Sequence, residues 1–312
     1  MSHEIEGDIM PKEYIGIEIG TRQVKMAWCE NRVLCREAVE PLPEYCVKNG
    51  AVMSMEVMAG FLKRMAKKYD SRCRFCCLVL PDDVAYTKRL VMPAMSVKHL
   101  KLNLPYEFHD LIRNQREAFL FDYAVMGLIC DENKRPVSMD LMAAAVPKGR
   151  MEEYRQMLRL AGWKLKSATP TAFAYSAFIR EYEKQKNRKE PGDYCFIDLG
   201  YGTTKVLFFH GKAMEACRHI ENQRIEGEGQ AFYDAIGMEI RRTLEFYYFR
   251  NPDKRFEKLY FCGGGSMIEP FRRTVAEYAA LAPGNVGELI PVSVGGKENI
   301  ISPAAVGVTF CL

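Results

Sequence analysis

Apolar positions along the chain form short runs set off by glycine, proline and charged residues, with helical spacing between several of them. Ile15–Ile19 and Val24–Trp28 are two such runs around the polar turn Gly20-Thr21-Arg22-Gln23. Two apolar runs across a tight glycine-containing turn predict a β-hairpin. Phe75–Leu80 is a continuous apolar run that predicts a buried strand, and 54–69 has the spacing of a helix. Ala85–Pro93 reads as a strand ending at proline, followed by a helix capped by Ser96 that runs to about Arg113. Leu100, Leu104, Phe108 and Leu111 lie on its apolar face, and Pro105 should kink it or end it early. Strands at about 119–129 and 137–146 and a helix at about 150–160 complete a β-α-β-β unit. A long helix, about Glu228 to Arg250, carries Ile236, Ile240, Leu244 and Tyr247 on one face.

The first hairpin recurs 180 positions later, with Ile15-Gly16-Ile17-Glu18-Ile19-Gly20 matched by Cys195-Phe196-Ile197-Asp198-Leu199-Gly200. In both copies a carboxylate precedes the turn glycine by two places. A polar turn, a lysine (Lys25, Lys205) and a second apolar strand follow. This chemistry suits phosphate: glycine admits an anion close to backbone N–H groups, and the hydroxyls of Thr21, Thr203 and Thr204 add donors. Glu18 or Asp198 at the first strand's end can hold Mg²⁺ through water. One such hairpin is ordinary. Two in register, each opening a long α/β segment, predict a duplicated unit with a ligand cleft between its halves.

Composition narrows the class. The 312 residues are 48% hydrophobic and 27% charged, as in globular proteins, and the net charge of +4 is too small to argue for nucleic acid. No apolar run approaches the roughly 20 residues of a membrane helix, and the acidic Met1–Asp8 is unlike a secretory signal. Eleven cysteines, an odd count, point to reduced thiols. Cys73, Cys76 and Cys77 lack a second Cys/His pair nearby, so the buried strand explains them better than zinc does.

Three further segments complete an order. Ser167–Ser176 joins a strand to a small-residue helix, with Pro170 at the helix start and Thr169 as the expected cap. Leu259–Cys262 is a buried strand running into Gly263-Gly264-Gly265-Ser266, and Ser302–Val308 is another small-residue helix. Hairpin, helix, hairpin, glycine-rich strand end, helix is the motif order of the actin and hexokinase superfamily, which the chain resembles over almost its whole length. The first hairpin is similar to that superfamily's phosphate-1 motif, the second to phosphate-2, Pro170-Thr171-Ala172 to connect-1, Gly263–Gly265 to the adenosine motif, and Ala304–Gly307 to connect-2.

The insertion between Val79-Leu80-Pro81 and connect-1 resembles the 1C subdomain of FtsA, PilM and the type II secretion L protein. Arg89–Ser96 and Phe121–Gly127 are most similar to the PilM family. The fold implied is α/β, a duplicated actin-like (ribonuclease H-like) ATPase fold. Subdomain 1A would cover 12–80 and 163–192, 1C 81–162, 2A 193–220 and 256–312, and a reduced 2B 221–255.

The resemblance implies a cytoplasmic ATP-binding adaptor of type IV pilus assembly, peripheral to the inner membrane. ATP phosphates would contact Gly20, Thr21, Arg22, Gln23, Lys25, Gly200, Tyr201, Gly202, Thr203 and Thr204. Gly263, Gly264, Gly265 and Ser266 would contact adenosine, with Glu239 and Arg242 within reach of base or ribose, and Mg²⁺ would sit by Glu18 and Asp198 through water. The implied partner is the cytosolic tail of a bitopic PilN-like protein, held between 1A and 1C, with Phe108, Leu111 and Phe119 as candidate groove residues that core packing explains more simply. Three departures imply slow hydrolysis or binding without turnover. Glu18 replaces the usual aspartate, Thr169 stands where heat-shock ATPases carry glutamate, and 2B is short. A degenerate scaffold, an FtsA-like filament former and a small-molecule kinase or exopolyphosphatase are the alternatives.

Overall fold

A computed structural model describes residues 13–48, 50–69, 71–113, 115–222, 229–289 and 302–312. The first hairpin is β1 (Glu13–Ile19) and β2 (Gln23–Glu30), extended by β3 (Val33–Pro41). A small ribbon of β4 (Val47–Lys48) and β5 (Ala51–Val52) leads to α1 (Met55–Lys68), whose first turn is capped by the Ser54 hydroxyl accepting from the Val57 N–H. β6 (Phe75–Leu80) follows, and after an insertion come α4 (Lys148–Ala161), β10 (Lys164–Pro170) and α5 (Thr171–Gln185). The strand order is β10-β6-β1-β2-β3, with β6 parallel to both β1 and β10.

The second half repeats this plan. β11 (Asp193–Leu199), β12 (Thr203–His210) and β13 (Ala213–Glu221) precede α6 (Gln230–Arg250), β14 (Lys258–Cys262), α7 (Glu269–Ala279), β15 (Ala282–Asn285) and α8 (Pro303–Gly307). Their order, β13-β12-β11-β14-β15, mirrors the first sheet strand for strand, and β14 again runs parallel to its neighbours. The expected subdomain at 221–255 includes 223–228, which lie outside the described residues.

The insertion builds a three-stranded sheet of order β7-β9-β8 from β7 (Tyr86–Pro93), β8 (Phe119–Cys130) and β9 (Pro136–Pro147). Pro105 acts as expected. α2 (Val97–Asn103) stops before it, a 3-10 turn spans Leu104–Phe108, and α3 (His109–Ile112) ends at left-handed Arg113. Leu100, Leu104, Phe108 and Ile112 are buried against one face of this sheet.

The largest shared core lies where α5 and α8 pack against both five-stranded sheets. Ala174, Tyr175 and Phe178 of α5 and Ala305 and Val306 of α8 meet Ala27 and Cys77 of one sheet and Phe196 and Phe209 of the other. Tyr175 stacks on Phe209 and meets Phe196 edge-on, with its hydroxyl 3.1 Å from Cys262 Sγ. Cys76 and Cys77 are buried strand residues, and burial pushes the Cys76 thiol up to about 12. Such thiols are core residues rather than nucleophiles. Thr169 does not cap α5. β10 continues to Pro170, and Thr169 Oγ1 lies 2.9 Å from Ser167 Oγ.

Candidate functional site

The two hairpins present equivalent pairs. Glu18 stands opposite Lys25 in the β1–β2 register, and Asp198 stands opposite Lys205 in β11–β12. Both turns close alike: the Gly20 N–H donates to the Gln23 carbonyl at 2.9 Å, and the Gly200 N–H to the Thr203 carbonyl at 3.1 Å. In the second turn Thr204 is fully buried and donates to Asn222 Oδ1 at 2.8 Å, while Asn222 Nδ2 donates to the Gly200 carbonyl at 3.0 Å. Thr204 therefore shapes the turn from inside, whereas Thr21 is exposed at the mouth.

The lysines are used differently. Lys25 is buried and donates to Glu18 at 2.9 Å, and the Ser302 hydroxyl donates to the other Glu18 oxygen. Lys205 reaches across to Asp82, at the end of β6, at 2.6 Å. No hydrogen bond from the described residues reaches the Asp198 carboxylate, which lies against Gly263; a Cβ there would stand 2.2 Å from Asp198 Oδ1.

The acidities of the two carboxyls diverge accordingly. Burial pushes Glu18 up, but the Lys25 charge and the hydrogen bonds from Ser302 and Lys25 together hold it below the usual range. Burial raises Asp198, and Lys25 and Lys205 only partly offset this. Both lysines are held above their ordinary value: burial alone would lower them, but neighbouring carboxylates outweigh it. The cleft thus holds two charged ammonium groups among three carboxylates.

The halves meet at the cleft mouth. The Arg22 guanidinium lies 4.4 Å above the Tyr201 ring and donates to its hydroxyl at 3.1 Å. Gln23 sits against Gly264, where a Cβ would stand 2.4 Å from Gln23 Oε1. Gly263 (φ +85°) and Gly265 pack on Leu199, and Ser266 is buried beside them, so the glycine run lies on the second hairpin. Only glycine fits this close approach and left-handed backbone.

Of the residues expected to line one nucleotide site, the structure brings together Glu18, Gly20, Arg22, Gln23, Lys25, Asp198, Gly200, Tyr201 and Gly263–Gly265. Glu239 and Arg242 are not among them. They form a mutual ion pair at 2.6 Å and line a separate cavity of about 730 Å³ beside β13, with none of the glycines in its wall. The candidate groove residues are also placed elsewhere. Phe108 is fully buried, Phe119 packs against Tyr86 and Phe121, and Leu111 lines a small cavity facing β13. Sequence reading missed Asp82, Asn222 and Ser302. Only Asp82 carried a signal, since duplication equates the ends of β6 and β14.

These residues do not fit a directly bound metal. Glu18 is already engaged by Lys25 and Ser302, so Asp198 alone is free for an ion held through water. Among the described residues no three His, Cys, Asp or Glu side chains form a metal cage.

Two copies of one α/β unit facing each other across a hairpin-lined cleft define an actin-like fold. A solved structure described as a PilM–PilN type IV pilus biogenesis complex superposes with a TM-score of 0.75 at 19% identity, covering 96% of this chain and 98% of that one. The ethanolamine utilization protein EutJ from Carboxydothermus hydrogenoformans superposes with a TM-score of 0.50 at 10% identity, covering 97% and 91%. The family model for type IV pilus assembly protein PilM matches residues 16–218, and the chain belongs to that family. Among the described residues no helix is long and apolar enough to cross a membrane.

Proposed function

We propose that this protein is an adaptor that docks the cytosolic tail of a PilN-like membrane partner beside β8, with a nucleotide held in the cleft and turned over slowly or not at all. The observation that carries the docking reading is a groove of about 460 Å³ between β8 and the β10–α5 junction. Leu120, Tyr123 and Val125 line one side, Pro170, Phe173 and Ala177 the other, with Arg155 and Arg180 at the rim. β8 is an outermost strand, so an extended tail can add to its free edge while placing apolar side chains in the groove. The PilN in the similar solved complex supports the partner class. A partner of this kind would hold the adaptor at the cytoplasmic face of the inner membrane.

Leu120 and Val125 are 45% and 39% exposed. The double variant Leu120→Glu/Val125→Glu should therefore melt like the parent yet bind the synthetic partner tail about tenfold more weakly or worse, by fluorescence anisotropy. Unchanged affinity would remove the groove from the docking reading.

For the cleft, Lys25, Lys205 and the two turns supply cation and N–H groups suited to polyphosphate. Bound Mg²⁺ would screen the phosphate charge, and Asp198 is the residue free to hold its water shell. Two positions that could carry a base do not: Glu18 is tied to Lys25 and Ser302, and Thr169 offers only a hydroxyl, which bonds Ser167 beside the tail groove. A lost positioned base costs about 10²–10⁴ in rate. Leu80 of β6 lines the groove, and Asp82 just beyond that strand binds Lys205 in the cleft, which offers a physical link between tail and nucleotide.

Asp198→Asn separates the roles. The folded-state pKa of Asp198 is raised, so its ionisation opposes folding at neutral pH, and that penalty vanishes as pH falls below the ordinary carboxylate range. The variant should be about 1 kcal/mol more stable than the parent at pH 7, gain nothing in acid, and lose most of the thermal shift that Mg·ATP gives the parent. A parent that does not shift at millimolar Mg·ATP would instead favour an empty scaffold, the reading that the Arg22–Tyr201 and Gln23–Gly264 contacts across the cleft support.

A further inference from the structure

The cavity that Glu239 and Arg242 line lies on the opposite edge of the insertion from the tail groove. β13 is the outermost strand of the second sheet, and among the described residues nothing pairs with its outer edge. α6 runs alongside and contributes Arg242, Phe246 and Arg250, while Arg89 reaches in from β7, itself an outermost strand. Four arginines (Arg89, Arg218, Arg242, Arg250) face two glutamates, Glu215 and Glu239.

The glutamates are largely committed. Tyr247 donates to Glu215, and Glu239 pairs with Arg242. Arg89 is held by a two-point contact to Asp140, at 3.0 and 2.7 Å, which fixes its orientation. Arg218 and Arg250 form no ion pair with a described carboxylate, and the Arg250 guanidinium lies 5.8 Å from the Phe246 ring centroid. Phe246 is 62% exposed, an aromatic shelf at the rim. The surplus of positive charge stands next to a row of strand backbone groups with no partner, and at about 730 Å³ the space suits several side chains.

We propose that this slot docks an acidic, extended peptide segment of a second protein partner, which adds to the free edge of β13. Its carboxylates meet Arg218, Arg242 and Arg250, and an apolar side chain rests on Phe246 and Tyr247. Charge complementarity identifies the occupant, and the unpaired edge favours an extended peptide over a compact anion. The site is independent of the cleft and of the β8 groove, so the adaptor can hold two partners at once.

The test uses the full chain and a fluorescein-labelled decapeptide alternating glutamate with valine, read by anisotropy. Saturable binding is expected, with little binding of the glutamine–valine peptide or of a peptide with proline at alternate positions. Arg218→Glu/Arg242→Glu, and Arg218→Glu alone, change only exposed side chains, so their melting midpoints should match the parent. The double variant should bind the acidic peptide at least about tenfold more weakly and prefer the lysine–valine counterpart. Equal binding of the glutamine peptide, or unchanged affinity in both variants, would overturn the proposal. Equal binding of the proline peptide would remove strand addition. Tripolyphosphate that titrates these arginines while the peptide fails to bind would replace the peptide with a small anion.

Discussion

Gly16→Val is expected to lower the melting midpoint by about 10 °C, or to leave too little folded protein to measure. Gly16 lies in β1 between Ala27 on β2 and Cys77 on β6, at a point where α8 crosses the sheet. A Cβ built there would stand 1.7 Å from the Ala305 carbonyl oxygen and 3.0 Å from Thr309 Cγ2. The first obstacle is main chain, so no rotamer relieves it, and α8 must move. The same device recurs at Gly307, whose Cβ would stand 2.0 Å from the Ala174 carbonyl oxygen of α5. Overpacking typically costs about 1–3 kcal/mol, and more when backbone must shift; about 3–4 kcal/mol is expected here. In a domain of this size each kcal/mol moves the midpoint by about 2–4 °C. A thermal melt by circular dichroism reads the result directly, and a midpoint within about 2 °C of the parent would show that α8 yields freely.

Lys25→Met should be comparably damaging for an electrostatic reason. Lys25 is 6% exposed, and its removal strands Glu18 in the cleft beside Asp198. Breaking a buried ion pair from one side costs about 3–5 kcal/mol, because the remaining charge is left uncompensated. The folded pKa of Glu18 is lowered, so the pair's stabilisation is present above the ordinary carboxylate range and lost as pH falls through the folded value. The folded pKa of Lys25 is raised, so its contribution persists through neutral pH and is lost only in strong alkali. Once Lys25 is gone, Glu18 titrates upward, and the deficit should shrink as pH is lowered. Urea unfolding at neutral and at mildly acidic pH measures this. The double variant Lys25→Met/Glu18→Gln should recover most of the lost stability, since the stranded charge is gone. A loss equal at both pH values and unrelieved by Glu18→Gln would mean that Lys25 matters for packing alone.

Local chemistry made much of this protein legible in its sequence. Both hairpins and their common register follow from apolar runs around glycine turns. That a carboxylate in each stands opposite a lysine follows from the short turn that sets the hairpin register. Ser96 marked its helix start with a hydroxyl that accepts from the His99 N–H, and Pro105 marked where a helix had to stop. The duplication, and with it the cleft, was legible because two distant segments repeat one pattern.

Thr169 was misread because its hydroxyl had two local uses, and strand pairing with Val79 on β6 selected the bond to Ser167 over a helix cap. The tertiary structure alone decided which side chains complete each charge. Lys205 finds Asp82, 123 positions away, and Glu18 finds Ser302, 284 positions away. It also assigned Glu239 and Arg242 to the β13 slot rather than the cleft, and left the outer edges of β8 and β13 without strand partners. Turn type and strand period are properties of neighbouring residues. The partner of a buried charge and the face a helix shows depend on how the two halves and the insertion pack, and no local pattern carries that information.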